Sequence, residues 1–165
     1  MAVVTRYTAA FPQLNTITGW ILPNGIWQQR RGNVKAALFS IAATNGDSIN
    51  SIYKLARVPS GAIILPSSTL YAPAIAGATS VSVGFNNGGG TVLDTALMSA
   101  VNISAGGSFN MMSAVTVANY LQPVWSLLGL TSDPNAEIDV ELLLNAALTA
   151  SGVIAGHIQY ADIGP

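Results

Sequence analysis

Short apolar runs broken by turn residues constrain this chain most. Val34 to Ala43 is apolar and ends at Thr44-Asn45-Gly46-Asp47. Ser48 to Val58 follows, mixing Ile52, Tyr53 and Leu55 with Lys54 and Arg57, and stops at Pro59-Ser60-Gly61. Ala62 to Leu65 is closed by Pro66, and Leu70 to Ile75 contains Pro73, which predicts an edge or bulged strand. Val81, Val83 and Phe85 alternate with Ser80, Ser82 and Gly84, and Asn86 to Gly90 supplies residues that accept positive φ. Thr91, Val92 and Leu93 then return, which predicts a hairpin. Ile138, Val140, Leu142 and Leu144 alternate with Asp139 and Glu141, which predicts one buried and one polar face. Gly152 to Ala161 reads as a last strand. Such short strands, at a spacing of roughly 8–15 residues with little helix, favour a sandwich or closed barrel. About eight candidate strands suit a jelly-roll-like antiparallel β-sandwich.

Residues 98–130 read less regularly. Ala105 to Ser108 is expected as a loop and Phe109 to Ala118 as a strand. Tyr120 to Leu130 is expected as a helical turn, with Pro123 near its start and Gly129 at its stop. Thr131 to Asn135 is a turn cluster.

The first 33 residues differ from the rest. Phe11, Trp20 and Trp27 lie in a stretch without persistent period, closed by Gln28-Gln29-Arg30-Arg31-Gly32. Rings of that size must bury against something. The segment reads as an extended N-terminal arm, 1–33, packed either on its own domain or on a partner. The β-sandwich domain is then 34–165.

Composition narrows the function. Half the residues are hydrophobic and 8% are charged, six basic and seven acidic. An average soluble domain is about 25% charged. A surface so poor in charge is expected to be covered in a permanent assembly, as a homo-oligomer such as a dimer or trimer. No apolar stretch reaches about 18 residues, so no membrane-spanning helix is expected. The charge is also sorted. Residues 1–57 hold all six cations against Asp47, a net +5, and residues 58–165 hold six acids, −6. Either the two parts neutralise each other within one fold, or a basic N-terminal segment reaches an acidic surface on a neighbour. Arg30, Arg31 and Lys35 form the basic cluster, too few charges for nucleic acid to be the main partner.

Catalytic and cofactor chemistry finds no foothold. The lone histidine, His157, reads as structural, and no Gly-x-Ser-x-Gly elbow accompanies it. With no cysteine, a zinc site is not expected, and no cofactor is expected either. Asp139 and Glu141 share one strand rather than facing across a cleft, so they read as residues that keep a strand face wet. Asp133, Asn135, Glu137 and Asp139 have oxygen-rich spacing but lack the calcium-loop glycine and bidentate glutamate, so a solvated turn is expected. The Gly88 to Gly90 run lacks the lysine and helix of a phosphate cradle. The chain reads as a non-enzyme.

One resemblance adds to this. The run from Asn50 to Ala62 (NSIYKLARVPSGA) resembles a segment common in small virion proteins of tailed phages. The order that follows is similar too: Ser82-Val-Gly-Phe85, Trp125-Ser-Leu-Leu-Gly-Leu130, Asp133-Pro134, Ile138-Asp-Val-Glu-Leu142 and the closing Gly152 to Tyr160. The likeness covers about residues 34–161 and leaves the aromatic arm unmatched. It implies a capsid decoration (cement) protein with a jelly-roll-like β-sandwich. Such a protein is made in the host cytoplasm and bound outside the major capsid protein shell of the virion. Phe11, Trp20, Trp27, Arg30, Arg31 and Lys35 are then the candidate partner contacts. Two rival expectations are another virion part (tail, neck or head-fibre base) and a carbohydrate- or receptor-binding module stacking sugars on Trp20, Trp27 and Trp125.

Overall fold

A computed structural model describes residues 5–7, 33–87 and 92–162 of the 165. The runs punctuated by turns become ten strands: β1 (Thr5–Tyr7), β2 (Asn33–Ala43), β3 (Ile52–Pro59), β4 (Ile63–Ile64), β5 (Thr69–Ala72), β6 (Val81–Asn86), β7 (Val92–Val101), β8 (Gly107–Asn110), β9 (Glu137–Leu144) and β10 (Gly152–Asp162). One helical turn, α1 (Val124–Leu127), and a 3-10 turn at Val117–Asn119 complete the described elements.

The strands form two sheets. One has the order β1-β3-β9-β6-β7, and the other β2-β10-β5-β8 with β4 also paired to β10. All pairings are antiparallel except β1 on β3. The inner faces meet over an apolar core that includes Phe39, Ile41, Tyr53, Leu70, Val83, Phe85, Val140, Leu142, Ile154 and Ile158, all buried. The chain is thus an all-β sandwich, as its period-2 runs predict.

Local chemistry explains several boundaries. β5 stops at Ala72, immediately before Pro73, because proline has no N–H to give the ladder. Contrary to the edge or bulge expected, β5 lies inside its sheet between β10 and β8. α1 begins after Pro123, and Gly129 follows at φ +74°, the left-handed stop predicted for it. The hairpin at residues 79–97 forms as expected, with β6 and β7 antiparallel and bulged. Residues 88–91 at its tip lie outside the described residues. The strand expected at Phe109 to Ala118 is shorter and earlier. β8 ends at Asn110, whose Oδ1 accepts the Met112 N–H at 2.8 Å and turns the chain.

Two strands depart from the half-buried reading. In β6 every residue from Val81 to Phe85 is buried, Ser82 and Gly84 included. In β9 Asp139 and Glu141 are 9% and 2% exposed. β9 lies between β3 and β6, in the middle of its sheet, so its polar face is not wet. The alternation is real, but the polar residues meet other polar residues instead of water.

In the second sheet, Gly156 of β10 sits opposite Phe39 on one side and Leu70 on the other. A Cβ there would lie 2.2 Å from the Thr69 carbonyl oxygen and 2.6 Å from Phe39 Cζ. The Phe39 ring occupies the space the glycine leaves, an arrangement that covers an otherwise bare backbone. Gly156→Ala forces this ring or the β5 backbone to move, and is expected to cost about 1–3 kcal/mol. A lowered urea midpoint with unchanged slope is the check; an unchanged midpoint would show that the sheet opens freely at this point.

Candidate interaction surfaces

The two outer faces of the sandwich differ in chemistry. On the β3-β9-β6 sheet, register sets Lys54 opposite Glu141 and Arg57 opposite Asp139. Lys54 Nζ lies 2.5 Å from Asp139 Oδ2 and 3.3 Å from Glu141 Oε1, and Arg57 Nε lies 2.6 Å from Asp139 Oδ1. Asn86 Nδ2 donates to Glu141 from β6 at 3.2 Å. Two strands thus bring donors onto the two acids of the strand between them. Buried carboxylates persist only when paired in this way.

The ionisation follows the geometry. Burial by itself would raise Asp139, but the hydrogen bonds from Lys54 and Arg57 outweigh it and hold the carboxyl below its ordinary value. Lys54 is held above its ordinary value, chiefly by its hydrogen bond to Asp139, with burial opposing and Glu141 adding to the rise.

Elsewhere, Lys35 Nζ donates to Asp162 Oδ2 at 2.6 Å across the β2–β10 pair, and this bond raises the lysine. Three of the six basic residues thus pair with acids from the last third of the same chain. For these residues the charge sorting is neutralised inside one fold, the first of the two readings weighed for it.

Of the candidate contacts, only Lys35 is among the described residues, and it is engaged by Asp162. Phe11, Trp20, Trp27, Arg30 and Arg31 lie outside them, as does the arm apart from Thr5–Tyr7 and Asn33. The described β1 pairs in parallel with β3 from Ile52 to Lys54.

The oxygen-rich run is divided by the fold. Asp133 Oδ1 accepts the Ser60 hydroxyl and, at 2.8 Å, the Asn135 N–H, while Asp139 faces Lys54 and Arg57. Among the described residues no group of three or more His, Asp or Glu could hold a metal. His157 Nε2 lies 2.9 Å from the Ser67 carbonyl oxygen, with its ring near Tyr71, a tie between β10 and the β4–β5 turn. Trp125 is half-buried, and its backbone N–H donates to the Ser60 carbonyl at 3.0 Å. An open depression of about 200 Å³ lies among Ser60, Asp133, Glu137 and Asp162. It is smaller than the roughly 300–1,000 Å³ of a typical small-molecule site.

The outer face of β2-β10-β5-β8 is the reverse of the first. Its outward positions are the even-numbered residues 34–42, the odd-numbered residues 153–161, and residues 69, 71, 108 and 110. None is Asp, Glu, Lys or Arg. Sequence reading treated β2 simply as an apolar run. The sign of a charge-poor outer face is present there: Ser40 and Ala42, neither charged, alternate with the core positions Phe39, Ile41 and Ala43.

No family model matches the sequence, and no curated protein is similar to it. Solved structures do share its fold. A chain in the capsid of Ralstonia phage GP4 aligns over 82% of this chain and 87% of its own, with a TM-score of 0.58 and 18% identity. A chain in the capsid asymmetric unit of cyanophage Pam1 aligns over 80% and 86%, with a TM-score of 0.50 and 21% identity.

Asp139→Asn removes the charge that Lys54 and Arg57 share, and is expected to destabilise the fold by about 1–3 kcal/mol. Because the native carboxyl sits below its ordinary value, its contribution is complete above the unfolded value of about 3.9 and is lost as pH falls through the native value. The stability gap between the two proteins is therefore full at neutral pH and closes under acid below about pH 4. Urea unfolding at pH 7 and pH 3 measures it; a gap that stays constant between them would remove Asp139 from the account.

Proposed function

We propose that this chain is a virion structural protein, a capsid decoration (cement) protein that binds the outside of the major capsid protein shell and stabilises it by bridging subunits. The observation that carries the reading is the fold likeness to chains in two phage capsids, each over four-fifths or more of this chain. The sequence resemblance between Asn50 and Tyr160 points the same way. So does the chemistry of the surface, which has a neutral sheet face and charges held in internal pairs.

A cement protein must hold a finished shell against internal pressure without covalent bonds. Apolar area removed from water, at roughly 25 cal/mol per Å², supplies that attraction, less the cost of ordering the partners. In this reading the arm, residues 1–33, extends the contact beyond the sandwich. Phe11, Trp20 and Trp27 are its anchors, because aromatic side chains dominate interface energetics. Arg30 and Arg31 add complementarity to an acidic shell surface. Lys35, bonded to Asp162 yet 42% exposed, is the candidate contact on the sandwich itself.

The direct experiment mixes the full-length chain with empty shells of the phage that encodes it and sediments the shells. Saturable co-sedimentation, with shells that resist heat or chaotrope better once decorated, is the expected result. Absence of the chain from the shell pellet would overturn the reading. Replacing Phe11, Trp20 and Trp27 together by alanine is expected to weaken binding at least tenfold, as loss of interface anchors does. Wild-type affinity in that variant would remove the arm from the interface.

A further inference from the structure

The neutral outer face of β2-β10-β5-β8 exposes apolar side chains. Val34, Leu38, Tyr71 and Val153 project from it at 62%, 54%, 48% and 53% exposure. Between them lie the small side chains of Ala36, Ala42 and Ala155. Leu38 stands beside His157, Ala155 beside Tyr71, and Val153 beside Ala42. Among these outward positions the polar groups are uncharged amides and hydroxyls and the imidazole of His157, which is already tied to the Ser67 carbonyl.

A protein that wanted this face in water would place lysine or glutamate on it, as edges and open sheets ordinarily do. Here the formal charges of the described sandwich lie elsewhere. Lys54, Arg57, Asp139 and Glu141 are on the opposite sheet, and Lys35 and Asp162 are paired at alternating positions of β2 and β10. A face without formal charge pays no repulsion against its own copy and has no charge of its own to leave unpaired.

We propose that this face is a self-association surface, packing against the same face of a second copy of this chain. An isologous contact needs a surface that can face its own copy, and an uncharged face with Val34, Leu38, Tyr71 and Val153 exposed meets that need. The size is also adequate. Strand rise and spacing give the face roughly 500 Å² per copy, so about 1,000 Å² for a pair, the lower bound of a specific interface. Self-association by this face stands whether or not a capsid shell is the chain's other partner.

The test is sedimentation velocity of the full-length chain over a concentration series, beside Leu38→Lys and Val153→Lys. Both positions are exposed, so the sandwich should survive, and circular dichroism checks that it does. The wild type is expected to sediment as a dimer or larger species, and each lysine variant to associate at least tenfold more weakly. A wild type that stays monomeric at the highest concentration, or variants that associate as it does, would overturn the proposal. If a variant does not fold, hydroxyl-radical labelling of Tyr71 and Leu38 in the wild type decides instead. Protection that grows with concentration supports the contact, and labelling independent of concentration overturns it. Shell binding separates the two readings. A dimer that ignores shells sinks the cement function alone. A monomeric wild type whose shell binding is abolished by Leu38→Lys assigns the face to the shell and sinks self-association alone.

Discussion

Two carboxylates held almost out of water in the middle of a sheet set the terms for the rest of the sandwich. Asp139 and Glu141 lie on β9, and burial alone would work against the charge of Asp139. Their tolerance depends on the register of β3, which puts Lys54 and Arg57 directly opposite, and on Asn86 from β6. A slip of one residue between β3 and β9 would turn the cations toward the core and strand the acids. The ion pairs therefore specify the register, and the register aligns Ile138, Val140, Leu142 and Leu144 with the opposing sheet. The net energy of such a pair relative to an apolar substitute is small, and the cost of breaking it is large.

With so few charges available, their use on one sheet has a consequence for the other. The β2-β10-β5-β8 face is left with alanine, valine, leucine and neutral polar groups. Asp47, Asp133, Asp139, Glu141 and Asp162 are engaged with cations, hydroxyls or amides, and the histidine is engaged with a carbonyl.

Much of the fold was legible from local chemistry. Turn residues marked most strand ends, Pro73 and Gly129 stopped their elements where proline and glycine must, and the hairpin around Asn86 formed as its period required. What misled was the meaning of alternation. β9 reads as one buried and one wet face, yet both are buried. β2 reads as a short apolar run, yet among the described strands it lies at a sheet edge with Val34 and Leu38 exposed. Alternation reports which residues share a face, and not what lies above that face.

The sequence by itself determined an all-β chain, its approximate strands, its shortage of charge and the sorting of cations before acids. These follow from residue order, because strand period, turn conformations and net charge are local or additive properties. Only the tertiary structure decided how the charges are used. Lys54 and Asp139 are 85 positions apart, and Lys35 and Asp162 are 127 apart. Whether such residues meet depends on which strands become neighbours, and that is settled by packing two sheets around one core.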